Sequence, residues 1–224
     1  KALISTMLGL AEHRVRVVAP DVGGGFGPKF VFYPEEVAIP LAAMLLRRPV
    51  RWLEDGYERF TATTQERDQV WDIALAADAE GRLLGVRGTL IHDHGAYTPY
   101  GIALPGNSAT NFIGPYVLPA FDLNLKLVIT NMIPATPTRG AGRPQGTFVM
   151  ERLLDRLAQR IGLDRAEVRR RNLIVPRQMP YVTGVKTRDG GAMTYGSGDY
   201  PRCQADALQK AGWADFPERQ RAAR

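Results

Sequence analysis

Residues 15–27 are Val-Arg-Val-Val-Ala-Pro-Asp-Val-Gly-Gly-Gly-Phe-Gly, a glycine-rich turn directly after an alternating apolar segment. The alternation over Val15–Val18 predicts a strand. A helix is predicted to follow from Pro34, with Glu35 and Glu36 at the positive end of its dipole. Nucleotide-binding folds hold phosphate at a glycine loop between a strand and a helix, so this segment first suggests that class of protein.

The spacing of the glycines excludes both common nucleotide motifs. The dinucleotide fingerprint counted from Gly23 requires a glycine where Pro28 stands, and a Walker loop requires its lysine directly after the last glycine, whereas Lys29 comes two residues after Gly27. Two interpretations remain. The segment is either a tight, buried turn, or a backbone that a ligand can approach closely because glycines have no Cβ and their N–H groups form a concavity for anions.

A second glycine loop, Arg139-Gly-Ala-Gly-Arg-Pro144, has the same design. Small residues flanked by two arginines at the predicted start of a helix suit an anion or a carbonyl oxygen. The alternative is that both arginines only form ion pairs at the surface. Two such loops in one chain favour a shared ligand pocket.

The remaining periodicities mix strands and helices. Alternation predicts a strand at Val50–Leu53, a hairpin of Val70–Ala77 with Leu83–Ile91, and a strand at Phe121–Thr130. A helix ending at Gly162 is predicted from one apolar face, and Asp164 is expected to cap the next helix. That face comprises Met150, Leu153, Leu154, Leu157 and Ile161.

These patterns together predict an α+β fold with mixed sheets and packed helices. We expect one domain over residues 1–175 and the start of a second over residues 176–224. Pro40 is expected to kink or split the helix that begins near Pro34. The stretch from Gly95 to Pro119, rich in Gly, Pro and Asn, is predicted to be a long ordered loop.

The composition of the 224 residues, 45% hydrophobic and 23% charged, is that of a soluble globular protein. The net charge of +6 has its signs mixed and gives no basic stripe for nucleic acid. The longest apolar stretch, Ile39–Leu46, is too short to span a membrane. The one cysteine, Cys203, allows no internal disulfide or thiolate zinc site and fits a reducing, cytoplasmic compartment.

The three histidines are too few and too dispersed for a His-rich metal site. His92 and His94 alternate on one face of the predicted strand and are a possible pair of ligands. Ordinary core or surface histidines are the favoured interpretation, so no metal site made of protein ligands is predicted.

The two loops resemble those of the xanthine dehydrogenase and aldehyde oxidase family, and other segments match that family in the same order. Val15–Gly27 resembles its molybdenum-site loop, and the carbon monoxide dehydrogenase-like large subunits are the most similar branch. The collinear matches also include Trp52–Asp55, Glu58–Phe60, Arg139–Pro144 with Phe148, Glu151 and Asp155, and Glu167–Leu173.

The resemblance implies a molybdenum cofactor-binding domain of the xanthine oxidase family. It implies molybdenum on a molybdopterin, in the cytosine dinucleotide form, with electrons passing to 2Fe-2S clusters on a small subunit and FAD on a medium subunit of a dimer of heterotrimers. Since the pterin holds the metal, no protein ligand set is required.

Positions of the site residues are also implied by the resemblance. Phe26 and Gly27 are expected beside the ligands of the metal, with Gly24 and Gly25 letting the backbone approach. Arg139 is expected at the edge of the metal centre, followed by the cofactor-contacting residues Gly140 and Ala141. Arg139 and Phe26 are the candidate catalytic residues, and the general-base glutamate of the family is expected outside this chain.

Departures from the family pattern bear on the substrate, which is a small molecule. The CO-oxidising form has a Cys-Ser-Phe-Arg loop, where this chain has Arg139-Gly-Ala-Gly-Arg143, and the purine-oxidising members have a glutamate and an arginine where this chain has Phe30 and Asn107. Hydroxylation of an aldehyde or an N-heterocycle is therefore expected.

A second hypothesis from a different class is a non-catalytic split or degenerate module that serves assembly. Pro28 and Thr138, both unusual at their positions in the family, motivate it. On either hypothesis the chain is expected to be an internal fragment with at most half a site, inactive by itself.

Overall fold

The computed structural model describes residues 1–98, 100, 102–187 and 189–224. The chain divides into two compact units, each formed from three stretches of sequence. The first, here called the loop unit, comprises residues 1–66, 93–101 and 129–141. The second, called the sheet unit, comprises residues 67–92, 102–128 and 142–224.

Helices and strands alternate irregularly along the chain, which confirms the predicted α+β class. The helices are α1 Ala2–Leu8, α2 Glu35–Leu46, α3 Gly56–Ala62, α4 Ala103–Asn111, α5 Arg143–Ile161, α6 Arg165–Asn172, α7 Tyr200–Ala211 and α8 Phe216–Ala222. The strands are β1 Gln69–Ala77, β2 Leu83–Asp93, β3 Phe121–Val128, β4 Tyr181–Lys186 and β5 Ala192–Tyr195. Short 3-10 turns lie at Glu12–Arg14, Pro28–Phe30 and Pro176–Gln178.

The sheet unit is built on the predicted hairpin, which is confirmed. β1 pairs antiparallel with β2 in a register that places Trp71 opposite Leu90, and β3 completes a sheet of order β1-β2-β3. Burial alternates along β1, as the sequence period requires. The inner aromatic rings pack together, with the Phe112 centroid 5.6 Å from that of Trp71 and 5.9 Å from that of Phe121.

Helix α5 has the predicted apolar face. Met150, Leu154 and Ala158 on that face are almost completely buried, and Gly162 ends the helix with a left-handed backbone. Asp164 caps α6 by accepting hydrogen bonds from the N–H groups of Ala166 and Glu167, as predicted.

The predicted loop over 95–119 is wrong in its centre, where residues 103–111 form α4. Leu104 and Ser108 of α4 are fully buried. A Cβ at Gly146 of α5 would lie 2.5 Å from the carbonyl oxygen of Ser108, so α4 approaches α5 at a distance that only glycine permits. This burial against α5 stabilises a helix whose own sequence has weak helical propensity.

Two predicted strands were also wrong, and one predicted break in a helix is not observed. Val15–Val18 and Val50–Leu53 are not strands in the described part of the chain, although Val15 has extended backbone angles. Alternation is a local signal, whereas a strand exists only when another strand pairs with it, and among the described residues none pairs with these two segments. Pro40 does not split α2, which runs unbroken from Glu35 to Leu46.

Charged residues join α5 to α6. Arg169 donates to Glu151 Oε2 at 2.6 Å and to Asp155 Oδ1 at 3.0 Å. Tyr116 donates to the other oxygen of Glu151 at 2.7 Å, and burial together with this bond raises the pKa of Tyr116. Glu151 and Asp155, two of the matched family residues, therefore have a structural role in this unit.

The basic run over 165–171 lies on α6, where Arg165 and Arg170 are exposed. Glu167 pairs with Arg170 at 2.6 Å and with Arg171 at 2.8 Å. Hydrogen bonds from these two guanidinium groups lower the pKa of Glu167 to about 2. Glu167 thus offsets part of the positive charge of α6, and Arg169 is paired with Glu151 and Asp155 of α5.

A buried asparagine ties the hairpin turn to α6. Asn172, 4% exposed, donates through Nδ2 to the carbonyl oxygens of Gly81 and Val168, both at 2.8 Å. Its Oδ1 accepts from the N–H of Leu83 at 2.8 Å. The side chain thereby satisfies backbone groups at the start of β2 that water does not reach.

Replacing this amide with an apolar group is expected to be costly. Asn172→Leu leaves buried backbone groups of Gly81 and Leu83 without partners, and we expect a loss of about 2–4 kcal/mol in the free energy of unfolding, measured by urea denaturation. Asn124→Leu, the same change at an exposed position of β3, is the control. Equal stability of the two variants would contradict the role assigned to Asn172.

Candidate functional site

The two predicted glycine loops meet in the loop unit. The backbone N–H of Arg139 donates to the carbonyl oxygen of Phe26 at 2.9 Å. The guanidinium carbon of Arg139 also lies 5.9 Å from the centroid of the Phe26 ring, within the range of a cation–π contact. The structure thus brings together the two residues that the sequence singles out as candidate catalytic residues.

Close approach of the loops depends on Gly27. Its φ of 103° lies in a region that side-chain-bearing residues rarely adopt, and a Cβ there would lie 1.8 Å from the carbonyl oxygen of Pro137. Gly24 has a φ of 141°, and a Cβ on it would lie 2.4 Å from Cε2 of Phe26. The Phe26 ring therefore folds over Gly24, while Gly27 packs against the second loop.

The second loop is a tight turn with positive φ at three successive positions, the last of which is Gly142 with a φ of 89°. Gly140 has a φ of 101° and Ala141 a φ of 48°, and the N–H of Ala141 donates to the carbonyl oxygen of Thr138 at 2.7 Å. Arg139 and Gly140 lie exposed at the tip of the turn. The turn presents a cation together with a backbone that has no side chain to obstruct a ligand.

Pro28 is accommodated without distortion of the first loop. It is buried and opens the 3-10 turn Pro28–Phe30, in which the N–H of Phe30 donates to the carbonyl oxygen of Gly27 at 2.8 Å. Proline suits the first position of such a turn because its φ is already fixed near the required value. Gly23, Gly25 and the Phe26 ring remain exposed on the other side.

Hydroxyl groups that the sequence analysis missed lie beneath the two loops. The Tyr33 hydroxyl donates to the carbonyl oxygen of Pro28 at 2.7 Å and lies 2.9 Å from Oγ1 of Thr64. Thr136 donates to the same Thr64 oxygen at 2.8 Å. Glu66 accepts a hydrogen bond from the backbone N–H of Thr138, the residue before Arg139.

A groove of about 460 Å³ lies beside the loops in this unit. The residues that line it include Pro28, Thr138, Glu54, Asp55, Arg59 and Phe60. Asp55 and Glu58 form a reciprocal cap at the start of α3, because each side chain accepts from the backbone N–H of the other. Four of the matched family residues, Glu54, Asp55, Arg59 and Phe60, therefore line a cleft next to the loops.

His92 and His94 are buried, whereas His13 is exposed. His92 is 0% exposed, with its Nδ1 3.2 Å from Nε2 of Gln69, and His94 is 2% exposed. Burial lowers the pKa of His94 more than the charge of Asp93 raises it, so the ring is neutral at pH 7. In the described residues no group of three or more His, Cys, Asp or Glu side chains is arranged to hold a metal ion.

The site can therefore bind a group that brings its own metal ligands. Exposed glycine backbone at Gly25 and Gly140 allows close approach, and the Arg139 guanidinium places a planar cation that suits anionic oxygens beside it. The exposed Phe26 ring supplies an apolar wall beside them. This donor set fits an anionic cofactor better than a bare metal ion.

Among the described residues, no helix is both long and apolar enough to cross a lipid bilayer.

Comparison with known proteins places this geometry in a family. The molybdopterin cofactor-binding domain matches residues 1–173. The gamma subunit of the 6-hydroxypseudooxynicotine dehydrogenase complex of Paenarthrobacter nicotinovorans is 36% identical over 219 residues, which are 97% of this chain and 28% of the relative.

Solved structures agree. Quinoline 2-oxidoreductase from Pseudomonas putida 86 superposes with a TM-score of 0.86 at 33% identity, over 99% of this chain and 28% of that one. CO dehydrogenase from Oligotropha carboxidovorans gives a TM-score of 0.84 at 31% identity, over 99% and 27%. The chain thus spans little more than a quarter of the length of these relatives, and it belongs to the molybdopterin cofactor-binding domain family.

Proposed function

We propose that the chain is part of the molybdenum-containing catalytic subunit of a hydroxylase that oxidises an aldehyde or an N-heterocycle, with water as the oxygen source. The observation that supports this most is the contact between the two loops, in which the N–H of Arg139 bonds to Phe26 and the guanidinium faces its ring. A guanidinium, which can donate to an oxyanion, and an apolar ring thus lie side by side in a family domain that binds molybdopterin.

Residues of both loops would hold the cofactor. Gly24, Gly25 and Gly27 would let the backbone approach it, and Gly140 and Ala141 would contact it from the second loop. When bound, the molybdenum centre supplies two-electron redox chemistry that no side chain in the site can perform.

Arg139 would act by charge. Its guanidinium would donate hydrogen bonds to anionic oxygens of the cofactor or to negative charge that develops on the substrate oxygen, and such bonds are stronger than neutral ones. Phe26, whose ring is 61% exposed, would exclude water from the same place and so strengthen those interactions.

Substrate, partners and localisation are proposed on chemical grounds. The similarity to quinoline 2-oxidoreductase supports an N-heterocycle, and Phe30 and Asn107 offer no charge for a purine. We place molybdopterin cytosine dinucleotide at the site, a 2Fe-2S small subunit and an FAD-binding medium subunit beside it, and a dimer of heterotrimers in the cytoplasm. The relatives described as a complex subunit and a large chain support a multi-subunit assembly.

We retain residues 1–175 as a first molybdopterin-binding domain and 176–224 as the start of a second, a division supported by the family match ending at residue 173. The alternative, a non-catalytic module, is less well supported. Pro28 opens a regular turn, and the Thr138 N–H is held by Glu66, so neither unusual residue disturbs the loops.

Gly25→Ala tests the proposal without disturbing the protein itself. A Cβ on Gly25 would meet only the Cβ of Lys29, at 3.9 Å, so the chain tolerates it, whereas a cofactor lying against this backbone would not. We expect a several-fold loss of molybdenum per polypeptide in the full-length complex, because even a modest steric cost of about 1 kcal/mol lowers occupancy about fivefold.

Gly23→Ala is the matched control, since its Cβ would have nothing within 4 Å and Gly23 is not among the proposed contacts. Both variants are expected to keep the wild-type melting temperature. Full molybdenum content and activity in Gly25→Ala would remove Gly25 from the cofactor site and count against the proposed function.

A further inference from the structure

We propose that Thr136, Thr64 and Tyr33 form a one-way hydrogen-bond chain that positions the two loops relative to each other. These are positioning residues: none is exposed at the loop tips, and each would act on the site through the backbone that it holds. The inference rests on the proposed function only for the statement of what the two loops bind.

The direction of the chain follows from counting protons. Each hydroxyl has one proton to donate. Tyr33 donates its proton to the carbonyl oxygen of Pro28, so Thr64, 2.9 Å away, has to be the donor to Tyr33. Thr136 donates to Thr64. The order is therefore Thr136 to Thr64 to Tyr33 to Pro28, from the base of the second loop to the first.

The two ends of the chain are fixed to the loops. Pro28 follows Gly27 directly and opens the turn that ends the first loop. Thr136 lies three residues before Arg139, and its N–H donates to the carbonyl oxygen of Gln65 at 3.0 Å, while the N–H of Gln65 donates to Pro134 at 3.2 Å. Thr64 and Thr136 are thus held on adjacent extended segments with their hydroxyls facing each other.

Burial makes the chain strong. Thr136 is 0% exposed and Thr64 is 4% exposed, so water cannot replace a lost partner. Hydroxyls that both donate and accept also polarise one another, which strengthens each bond in the chain. Together with the bond between Arg139 and Phe26, the chain connects the loops at two points, the base and the tips.

The proposal predicts that losing a hydrogen bond at one loop speeds amide hydrogen exchange in the other loop. Thr136→Val keeps the shape of the side chain but removes the hydroxyl that donates to Thr64. We expect amide hydrogen exchange in the full-length protein to rise about fivefold or more in residues 23–31, although the substitution lies in the segment leading to the second loop. Thr136→Ser, which retains the hydroxyl, is expected to exchange at the wild-type rate.

The reciprocal variant is Tyr33→Phe, which removes only the hydroxyl and is expected to speed exchange in residues 134–141. Tyr57→Phe, at a tyrosine that is 78% exposed, is the control. Exchange that rises only around the substituted residue, or Thr136→Ser behaving as Thr136→Val, would overturn the proposal.

The outcome is independent of the cofactor assignment, because exchange is measured in the protein with and without molybdenum. Transmitted exchange in a complex whose wild-type form contains no molybdenum would leave the hydrogen-bond chain standing and contradict the proposed function. Transmitted exchange with lowered molybdenum content would support both.

Discussion

Gly27→Ala is expected to reduce molybdenum bound per polypeptide at least about tenfold, because the strain and the clash it introduces together exceed about 1.4 kcal/mol. The new Cβ would lie 1.8 Å from the carbonyl oxygen of Pro137 and 3.0 Å from the Cα of Thr138, both of them backbone atoms that cannot turn aside. The positive φ adds strain for any residue with a side chain. The loops would therefore separate at the point where they now meet.

Metal analysis of the full-length complex and its melting temperature would measure this effect. We expect the melting temperature to fall by several degrees, about what a loss of 1–2 kcal/mol produces. Gly23→Ala, in the same loop but with open space around its Cβ, is expected to behave as wild type. Wild-type molybdenum content in Gly27→Ala would show that the contact between the loops is not needed to hold the cofactor.

Arg139→Ala is expected to lower kcat about 10²–10³-fold with an aldehyde or N-heterocycle substrate, the range seen when one donor to a developing oxyanion is removed. The fold should be unaffected, because the side chain is exposed and the backbone N–H that bonds to Phe26 is retained. The kcat of Arg139→Lys should lie between those of the wild type and Arg139→Ala, because a lysine keeps the charge but not the planar fork of donors.

Steady-state kinetics on preparations with known molybdenum content separate this effect from loss of the cofactor. Arg143→Ala is the control, since Arg143 is exposed at the first position of α5 and is not a proposed contact. A kcat in Arg139→Ala that equals that of Arg143→Ala, at full molybdenum content, would exclude Arg139 from the chemistry.

Elements with a strong local signal were predicted from the sequence. The hairpin of β1 and β2, the strand β3, and the helices α5 and α6 with their Gly162 and Asp164 ends all lie where the pattern placed them. Each is specified by residues close together in sequence. The juxtaposition of Phe26 and Arg139 was predicted from the resemblance of the two loops to one family.

Features that depend on distant residues were not predicted. Helix α4 forms because Gly142 and Gly146 let it pack closely, and the alternating segments at 15–18 and 50–53 have no partner strand among the described residues. In the hydroxyl chain, Tyr33 lies 31 positions from Thr64, and Thr64 lies 72 positions from Thr136. Threonine and tyrosine give no periodic signal that marks such distant pairs. The one sequence feature near this chain is the polar run Thr63-Thr64-Gln65-Glu66, which contains one of its three residues.

The two loops are therefore recognisable from the sequence, whereas the residues that hold them together are not. The glycines and arginines are recognisable because few residue types can occupy strained turns or bind oxyanions. The residues that position them are ordinary polar side chains, distinguished only by burial and by their partners.

Molybdenum content per copy of this polypeptide, in the complex isolated from its native source, tests the central claim most directly. The proposed function predicts about one molybdenum atom per copy, since one cofactor would occupy one site. A complex that retains its partner subunits but contains no molybdenum would contradict the catalytic assignment and leave a module that serves assembly.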